Sequence, residues 1–523
     1  MSAQELLDRE FGTVAELIGE HARAQPRSPA LIDSAQVMDY AGLDTWMDRV
    51  AVALARDGVK QGDTVAICAL SSVEYGAVFL GALRAGVSVA PLAPSSTPDS
   101  LAAMAADCGA KLLFLDDGVA RAIEPVRASV KARWVALDGK APHALALLSW
   151  LAPEGSRPEP IEVAPDDAFN VIYSSGTTGT PKGIVQPHKM RWQHVRRGAD
   201  SGYAPDSVTM VSTPLYSNTT LVSFFPSLAL GGAVVLMPKF DARKFLELSE
   251  KHRATHAMLV PVQYQRLMDM PDFDRFDLKS YRMKFCTSAP FSAALKKQVL
   301  DRWPGGLVEY YGMTEGGGTC VLQAHKHPDK LHTVGRPAPG HDIRLIDDAG
   351  KVVPAGEVGE VVGRSPAMMS GYHNQPDKQR DAEWYDEHGN RFIRTGDVGR
   401  FDADGFLTLL DRKKDMIISG GFNIYPSDLE AVLVQHPDVA EAAVVGVPSV
   451  QWGETPVAFV VSKAGTSVSA EAIKAWFNER IGKTQRLHAV ELTQSLPRSA
   501  IGKVLKRELR DVYLRSDDAA RSA

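Results

Sequence analysis

Short apolar strands alternating with amphipathic helices constrain this chain more than any other feature it has. Helical spacing of apolar residues runs through VAELIGEHARA (14–24), VAVALARDGV (50–59) and EYGAVFLGALRAG (74–86). Between and after them lie strand-length apolar runs: TVAICAL (64–70), GVSVAPL (86–92), KLLFL (111–115) and RWVAL (133–137). Strands of this kind, buried on both faces and separated by helices, predict a layered α/β architecture with a largely parallel sheet. The middle third repeats the theme in VTMVSTP (208–214), AVVLMP (233–238), HAMLVP (256–261), RMKFCTS (282–288) and LVEYYG (307–312). Several of these runs end in Ser, Thr, Pro or Gly, at the carboxyl edge where open α/β sheets place ligands.

The texture changes after residue 340. IRLIDDAGKVVPAGEVGEVVGR (343–364) and VGRFDADGFLTLLDR (398–412) read as strand, turn and strand, which predicts antiparallel β structure. Beyond Lys414 a smaller alternation follows, with AEAAVVGV, TPVAFVV, the helix AEAIKAWFNERI and the strand LHAVEL. A chain of 523 residues exceeds one core. The expected division is a larger domain over residues 1–411 and a smaller one over 412–523, hinged near Lys414.

A net charge of -5 gives no electrostatic reason to expect nucleic acid or an anionic membrane as partner. Cys68, Cys108, Cys286 and Cys320 lack CxxC spacing and read as buried thiols of a reducing compartment. The acidic start MSAQELLDRE does not read as a secretory leader, and no apolar run reaches membrane-spanning length. The expected location is the cytoplasm.

One stretch departs from the apolar pattern. Residues 173–183 read YSSGTTGTPKG, dense in hydroxyls and glycines, free of acids and ending on Lys182. Glycines let a backbone approach a polyanion, while N–H groups and hydroxyls donate to phosphate oxygens. A mobile surface turn is the bland alternative, but the stretch leaves a buried strand and leads into a second one, GIVQP. It fails the GxxxxGK[ST] spacing, and no GxGxxG follows a strand. Three later stretches add to it. YYGMTE (310–315) offers a ring to stack on a purine, a hydroxyl for a phosphate and a carboxylate for Mg²⁺. RTGD (394–397), expected in a turn between strands, suits the vicinal hydroxyls of a ribose. PRSAIGKVLKREL (497–509) sets Lys503 on a glycine loop before a basic helix. Each has an ordinary structural reading as strand end, turn or helix start.

The four stretches, with RTGDVGRFDADGFLTLLDRKKDMIISGGFNIYP (394–426) as the longest, resemble in sequence and order the adenylate-forming superfamily of acyl- and aryl-CoA synthetases, adenylation domains and luciferases. The resemblance implies two α/β subdomains and a β-barrel-like part in a large N-terminal domain, with a small mobile α+β C-terminal domain. It implies ATP, Mg²⁺ and coenzyme A, and a reaction in which a carboxylic acid becomes an acyl-adenylate and then a thioester. By resemblance, Thr177, Thr178 and Lys182 handle the terminal phosphates, with Ser174, Ser175, Gly176 and Gly179 shaping the loop. Ser288, Ala289 and Pro290 lie beside adenine; Tyr311 and Gly312 flank it. Thr314 contacts the α-phosphate, Glu315 binds Mg²⁺, and Asp397 with Arg412 holds the ribose. Lys503 bridges the attacking carboxylate and the α-phosphate, and Gly420 and Gly421 face the thiol arm.

Two positions depart from the family pattern. Ser217 stands in PLYSNTT where a histidine is common, and Tyr310 stands where many relatives have glycine. With Tyr216 and Asn218 these imply a compact aryl, arylpropenoyl, alicyclic or short to medium-chain acid. Met190, Trp192, His194, Phe224 and Phe225 lie near the expected pocket but read as core, and His256, at a strand start, reads as structural. The leading expectation is a carboxylic acid–CoA ligase. The alternatives are a standalone enzyme that loads a carrier-protein pantetheine and an idle nucleotide-binding homologue. A homodimer is one assembly open to it.

Overall fold

The computed structural model describes residues 2–174, 182–419, 422–449, 451–499 and 502–522. They fall into two compact units, Met1–Asp342 with Gly363–Ile393, and Ile343–Val362 with Arg394–Ala523. The expected division at 411/412 lies inside the second unit. In that unit Thr395 Oγ1 donates to the Val361 carbonyl at 2.9 Å. Arg394 and Lys413 both pair with Glu360.

The first unit is built on two sheets. One runs in the order Arg336–Pro337, Thr319–Gln323, Gly306–Gly312, Met283–Cys286, His256–Leu259, Val208–Val211, Ala233–Leu236, Pro29–Ile32 and Val37–Asp39. Its six central strands are parallel, from Gly306–Gly312 to Pro29–Ile32, as the alternation predicts. The other runs Gly371–Tyr372, Lys182–Pro187, Ala168–Ser174, Ser88–Pro91, Thr64–Cys68, Leu112–Leu115, Arg133–Ala136 and Leu145–Ala146. Here the two strands that flank the hydroxyl and glycine stretch form an antiparallel hairpin, with Ser174 opposite Lys182.

The helices between strands start as their sequences direct. Thr13, Asp39, Ser72, Thr97 and Ser292 each accept a bond from the backbone N–H three residues on. The helix Asn218–Ala229 has no such cap and is almost entirely buried. Its Phe224 and Phe225 join Phe79 and Phe169 in a set of edge-to-face rings, with Phe225 4.9 Å from Phe169 and 5.3 Å from Phe79. The four cysteines are buried, unpaired thiols.

The strand-turn-strand texture after residue 340 becomes a five-stranded sheet of Asp342–Ile346, Gly359–Arg364, Arg391–Phe401, Glu383–Tyr385 and Leu407–Arg412. RTGD is a correction. It lies within the strand Arg391–Phe401, not in a turn between strands. Gly396 takes φ +69, and a register shift follows between Val398 and Gly399. The irregularity that a Thr-Gly-Asp sequence signals is thus absorbed as a kink in a continuous strand.

The second unit also holds a sheet of Phe422–Ile424, Ile417–Ser419, Gly453–Ser462 and Val439–Ser449, with Ala489–Leu492 parallel to Gly453–Ser462. The helices Pro426–Leu433 and Ala470–Asn478 bury Leu429, Leu433, Ile473 and Phe477 in one core. The helix Lys506–Ser522 puts Leu509 and Tyr513 in another, with Phe459 and Val445. Among the described residues no helix is long and apolar enough to cross a membrane.

Phe225→Ala removes a fully buried ring from the aromatic set and is expected to destabilise the first unit by about 3–5 kcal/mol. Urea denaturation followed by tryptophan fluorescence measures this; a midpoint unchanged from the parent chain contradicts the packing described.

Candidate active site

The hairpin that carries the hydroxyl and glycine stretch is held by side chains inside it. Asn170 and Gln186 are both fully buried polar residues in strands that are otherwise apolar. Asn170 Nδ2 donates to Gln186 Oε1 at 3.0 Å. Arg191, only 1% exposed, donates from Nε and Nη2 to Asn170 Oδ1 at 3.1 and 3.0 Å, and from Nη2 to Gln186 Oε1. Burial lowers the Arg191 guanidinium to about 9. Its planar face lies over Phe169 and Phe225.

Gln186 then spends its amide outward. Nε2 donates to the Thr314 carbonyl at 2.7 Å and to Asn218 Oδ1 at 3.3 Å. The strand hairpin, the YYGMTE turn and the start of the helix Asn218–Ala229 therefore meet on one side chain. Thr314 and Asn218, named separately from sequence, are brought together here. Ser217 precedes that helix without capping it by its side chain. Tyr216 is half-buried, and burial raises its phenol pKa.

Lys182 ends the loop with its Nζ 5.0 Å from the centre of the Tyr372 ring. Tyr372 lies in a two-residue strand, opposite Ile184, and its hydroxyl donates to Glu315 Oε1 at 2.8 Å. Burial, then the charge of Glu315, pushes the Tyr372 phenol far above its ordinary value, so it stays a donor. One ring thus spaces the loop cation from the YYGMTE carboxylate. The turn after Glu315 accepts only glycine. A Cβ on Gly316, whose φ is +73, would sit 1.9 Å from the Ala367 carbonyl oxygen. Tyr311 pairs with Cys320 and Gly312 with Thr319 across the sheet edge.

Ser288 occupies φ +85, a conformation costly for a residue with a side chain, and its hydroxyl bonds that of Thr219. Ala289 and Pro290 follow it at the carboxyl end of Met283–Cys286. Ser175, Gly176, Thr177, Thr178, Gly179, Gly420 and Gly421 lie outside the described residues, and Ser174 is described by its backbone alone.

In the second unit, Asp397 and Arg412 face each other across paired strands, with Nε 3.2 Å from Oδ1. Lys503 sits in a narrow turn where Ser499 N–H donates to the Lys503 carbonyl at 2.8 Å and Gly502 takes φ +80. Burial, then the positive charge of Arg412, lowers its ammonium to about 8, against the opposing pull of Asp397. The three residues therefore share one electrostatic neighbourhood. Lys414 is exposed in the turn that follows Leu407–Arg412.

Sequence reasoning missed Tyr372, Asn170, Gln186 and Arg191. Asn170 and Gln186 carried a usable signal, since an amide inside a buried strand demands a partner. Tyr372, in a two-residue strand, carried none.

The family described as AMP-binding enzyme matches residues 18–373, and AMP-binding enzyme C-terminal domain matches residues 428–503. A feruloyl-CoA synthase of Amycolatopsis sp is 33% identical over 94% of this chain and 96% of its own length. The fatty acid–[acyl-carrier-protein] ligase ScoC of Streptomyces coeruleorubidus is 31% identical over 96% of each. The ATP-bound structure of MatB from Rhodopseudomonas palustris superposes with a TM-score of 0.85 at 29% identity, covering 95% of this chain and 99% of that one.

Gln186→Leu leaves the buried Arg191 short of an acceptor and the Thr314 carbonyl short of a donor. A loss of about 2–4 kcal/mol is expected, read from the denaturant midpoint. A stability equal to that of the parent chain contradicts the network. With its motifs, its two-sheet unit and its matched length together, the chain belongs to the AMP-binding enzymes, the adenylate-forming superfamily of AMP-forming acid ligases.

Proposed function

We propose that the chain is an AMP-forming carboxylic acid–CoA ligase acting on a compact aryl, arylpropenoyl, alicyclic or short to medium-chain acid. The observation that carries this reading is Lys503, drawn half-buried into the neighbourhood of Asp397 and Arg412. A free carboxylate is a poor electrophile, because its charge is delocalised and oxide is its leaving group. Attack of the carboxylate on the α-phosphorus of ATP expels pyrophosphate and leaves an acyl-adenylate. A thiol then attacks the carbonyl, forming the thioester and releasing AMP. Both steps concentrate negative charge on oxygen, so cations and fixed donors do most of the work.

In this reading Lys503 binds the acid's carboxylate and the α-phosphate, and Asp397 with Arg412 binds the ribose hydroxyls. Lys182, with Ser174, Ser175, Gly176, Thr177, Thr178 and Gly179, binds the terminal phosphates. Thr314 holds the α-phosphate, its turn fixed from behind by Gln186. Tyr311, Gly312, Ser288, Ala289 and Pro290 enclose the adenine. Tyr216, Ser217 and Asn218 line the acid's side. Gly420 and Gly421 admit the pantetheine arm, and Lys414 is the hinge about which residues 412–523 change their task.

Glu315 fits Mg²⁺. Among the described residues its carboxylate bonds only the Tyr372 hydroxyl, and no cluster of three metal-binding side chains exists. A single carboxylate completed by phosphates and water is how magnesium is usually held. When bound, the ion neutralises charge on the phosphates. Tyr372 fixes the carboxylate that would hold it.

The similarity to ScoC favours one second reading, transfer to a carrier-protein pantetheine in place of CoA. Pyrophosphate release across a panel of acids, with and without CoA and with mass analysis of the product, separates the two. A carrier-loading enzyme forms adenylate but no acyl-CoA, and no pyrophosphate with any acid overturns both. A cytoplasmic location and a homodimer belong to this proposal, the latter tested by sedimentation.

Lys503→Ala is expected to cut acyl-adenylate formation by roughly three orders of magnitude, as loss of a transition-state charge contact does, while sparing thioester formation from preformed adenylate. Equal loss in both half-reactions contradicts the assignment. Because the Lys503 ammonium lies near 8, its protonated form is lost as pH rises. The kcat/KM of adenylation is therefore expected to fall above about pH 8 in the parent enzyme. It should hold in Lys503→Arg, whose guanidinium keeps its proton.

A further inference from the structure

The helix His188–Asp200 carries a row of bases along one side. Arg191, His194 and Arg197 recur at three-residue spacing and share one face. Arg191 Nη1 lies 3.5 Å from His194 Nδ1, and Arg197 Nη1 lies 3.4 Å from His341 Nε2. His341 accepts the Thr319 N–H at 2.9 Å, and Thr319 pairs with Gly312 of the YYGMTE strand. Tyr310, on that strand, neighbours Arg197 and has its hydroxyl 3.4 Å from that of Ser201. The four basic groups therefore form one cluster, linked to the Thr314 carbonyl through Gln186 and to the strand Gly306–Gly312 through Tyr310 and Thr319.

Their charge has no partner. Among the described residues no carboxylate pairs with Arg191 or Arg197; Arg191 donates to two amide oxygens and to His194, while Arg197 Nη1 faces His341 Nε2, which carries that ring's proton because Nδ1 accepts the Thr319 N–H. Both histidines are held below their ordinary value, first by burial; His341 lies at about 4. Being neutral, each ring keeps one N–H to donate. The carboxyl end of the helix offers Arg197, in its last turn, a partial negative charge smaller than the cost of burying a guanidinium, whereas Arg191 sits in the first turn at the opposite end. Arg191 is closed to solvent, whereas His194, Arg197 and His341 keep part of their surface open, so a ligand can reach them.

We propose that Arg197, His341 and His194, backed by the charge of Arg191, recognise a second anionic group on the acid, so that the preferred substrate is a compact dicarboxylate. The inference rests on the acid-activating reading above. In that reading the first carboxylate is bound at Lys503 beside the phosphates, and a second one is repelled from the phosphates. The end of the acid beside Tyr310 and Gly312 is where a counter-charge is wanted. It also gives Tyr310 and Ser201 a task, as hydroxyls that satisfy the remaining lone pairs of that carboxylate.

The test compares matched acids in the pyrophosphate-release assay: glutarate with pentanoate, adipate with hexanoate, and benzene-1,4-dicarboxylate with benzoate. The parent enzyme is expected to favour the dicarboxylate of at least one pair by tenfold or more in kcat/KM. Arg197→Gln should reduce that ratio at least tenfold, chiefly through the dicarboxylate's KM, and Arg197→Lys should restore part of it. The ratio is internal to each variant and so insensitive to its folded fraction. Preference for the monocarboxylate in every pair, or a ratio unmoved by Arg197→Gln, overturns the proposal and leaves the ligase reading standing. No turnover of any acid overturns the ligase reading and this inference with it.

Discussion

Two amides buried in adjacent strands are what the rest of this molecule leans on. Asn170 and Gln186 cannot sit in an apolar hairpin unless each donor and acceptor is answered. Arg191 answers their oxygens, and the Thr314 carbonyl and Asn218 answer the Gln186 amide. The hairpin that carries the phosphate stretch is thereby locked to a turn in the other sheet and to the start of a buried helix. A triphosphate needs donors whose positions are fixed before it arrives, since reorganising them costs what binding gains. An apolar interior could pack these strands equally well, but it would leave their relative slide unspecified.

Lys182 and Glu315 are opposite in sign yet separated by the Tyr372 ring, so each keeps capacity for a ligand. Asp397 and Arg412 neutralise one another across a strand pair, and Lys503 joins them at a cost that burial makes visible in its lowered pKa.

Much of this was legible in the chain itself. The alternation of strands and helices and the antiparallel region after residue 340 follow from local periodicity and local composition, and four motifs in order carry the family resemblance. What stayed hidden is long-range pairing. Tyr372 meets Glu315 across 57 residues and Arg197 meets His341 across 144, and no window of sequence reports either. The same cause misplaced RTGD. A Thr-Gly-Asp sequence ordinarily turns, but here pairing with Leu407–Arg412 carries the strand through it with a kink.

The sequence alone determined the fold class, written in its alternation of apolar strands and helices, and the resemblance carried by four contiguous motifs pointed to the family and to the groups proposed to face a nucleotide. Only the tertiary structure decided which of the scattered polar residues are scaffold and which are left with unanswered charge. That distinction depends on burial and on the absence of a counter-ion. Both are properties of what the fold brings near a residue, and neither is set by the residues beside it in the chain.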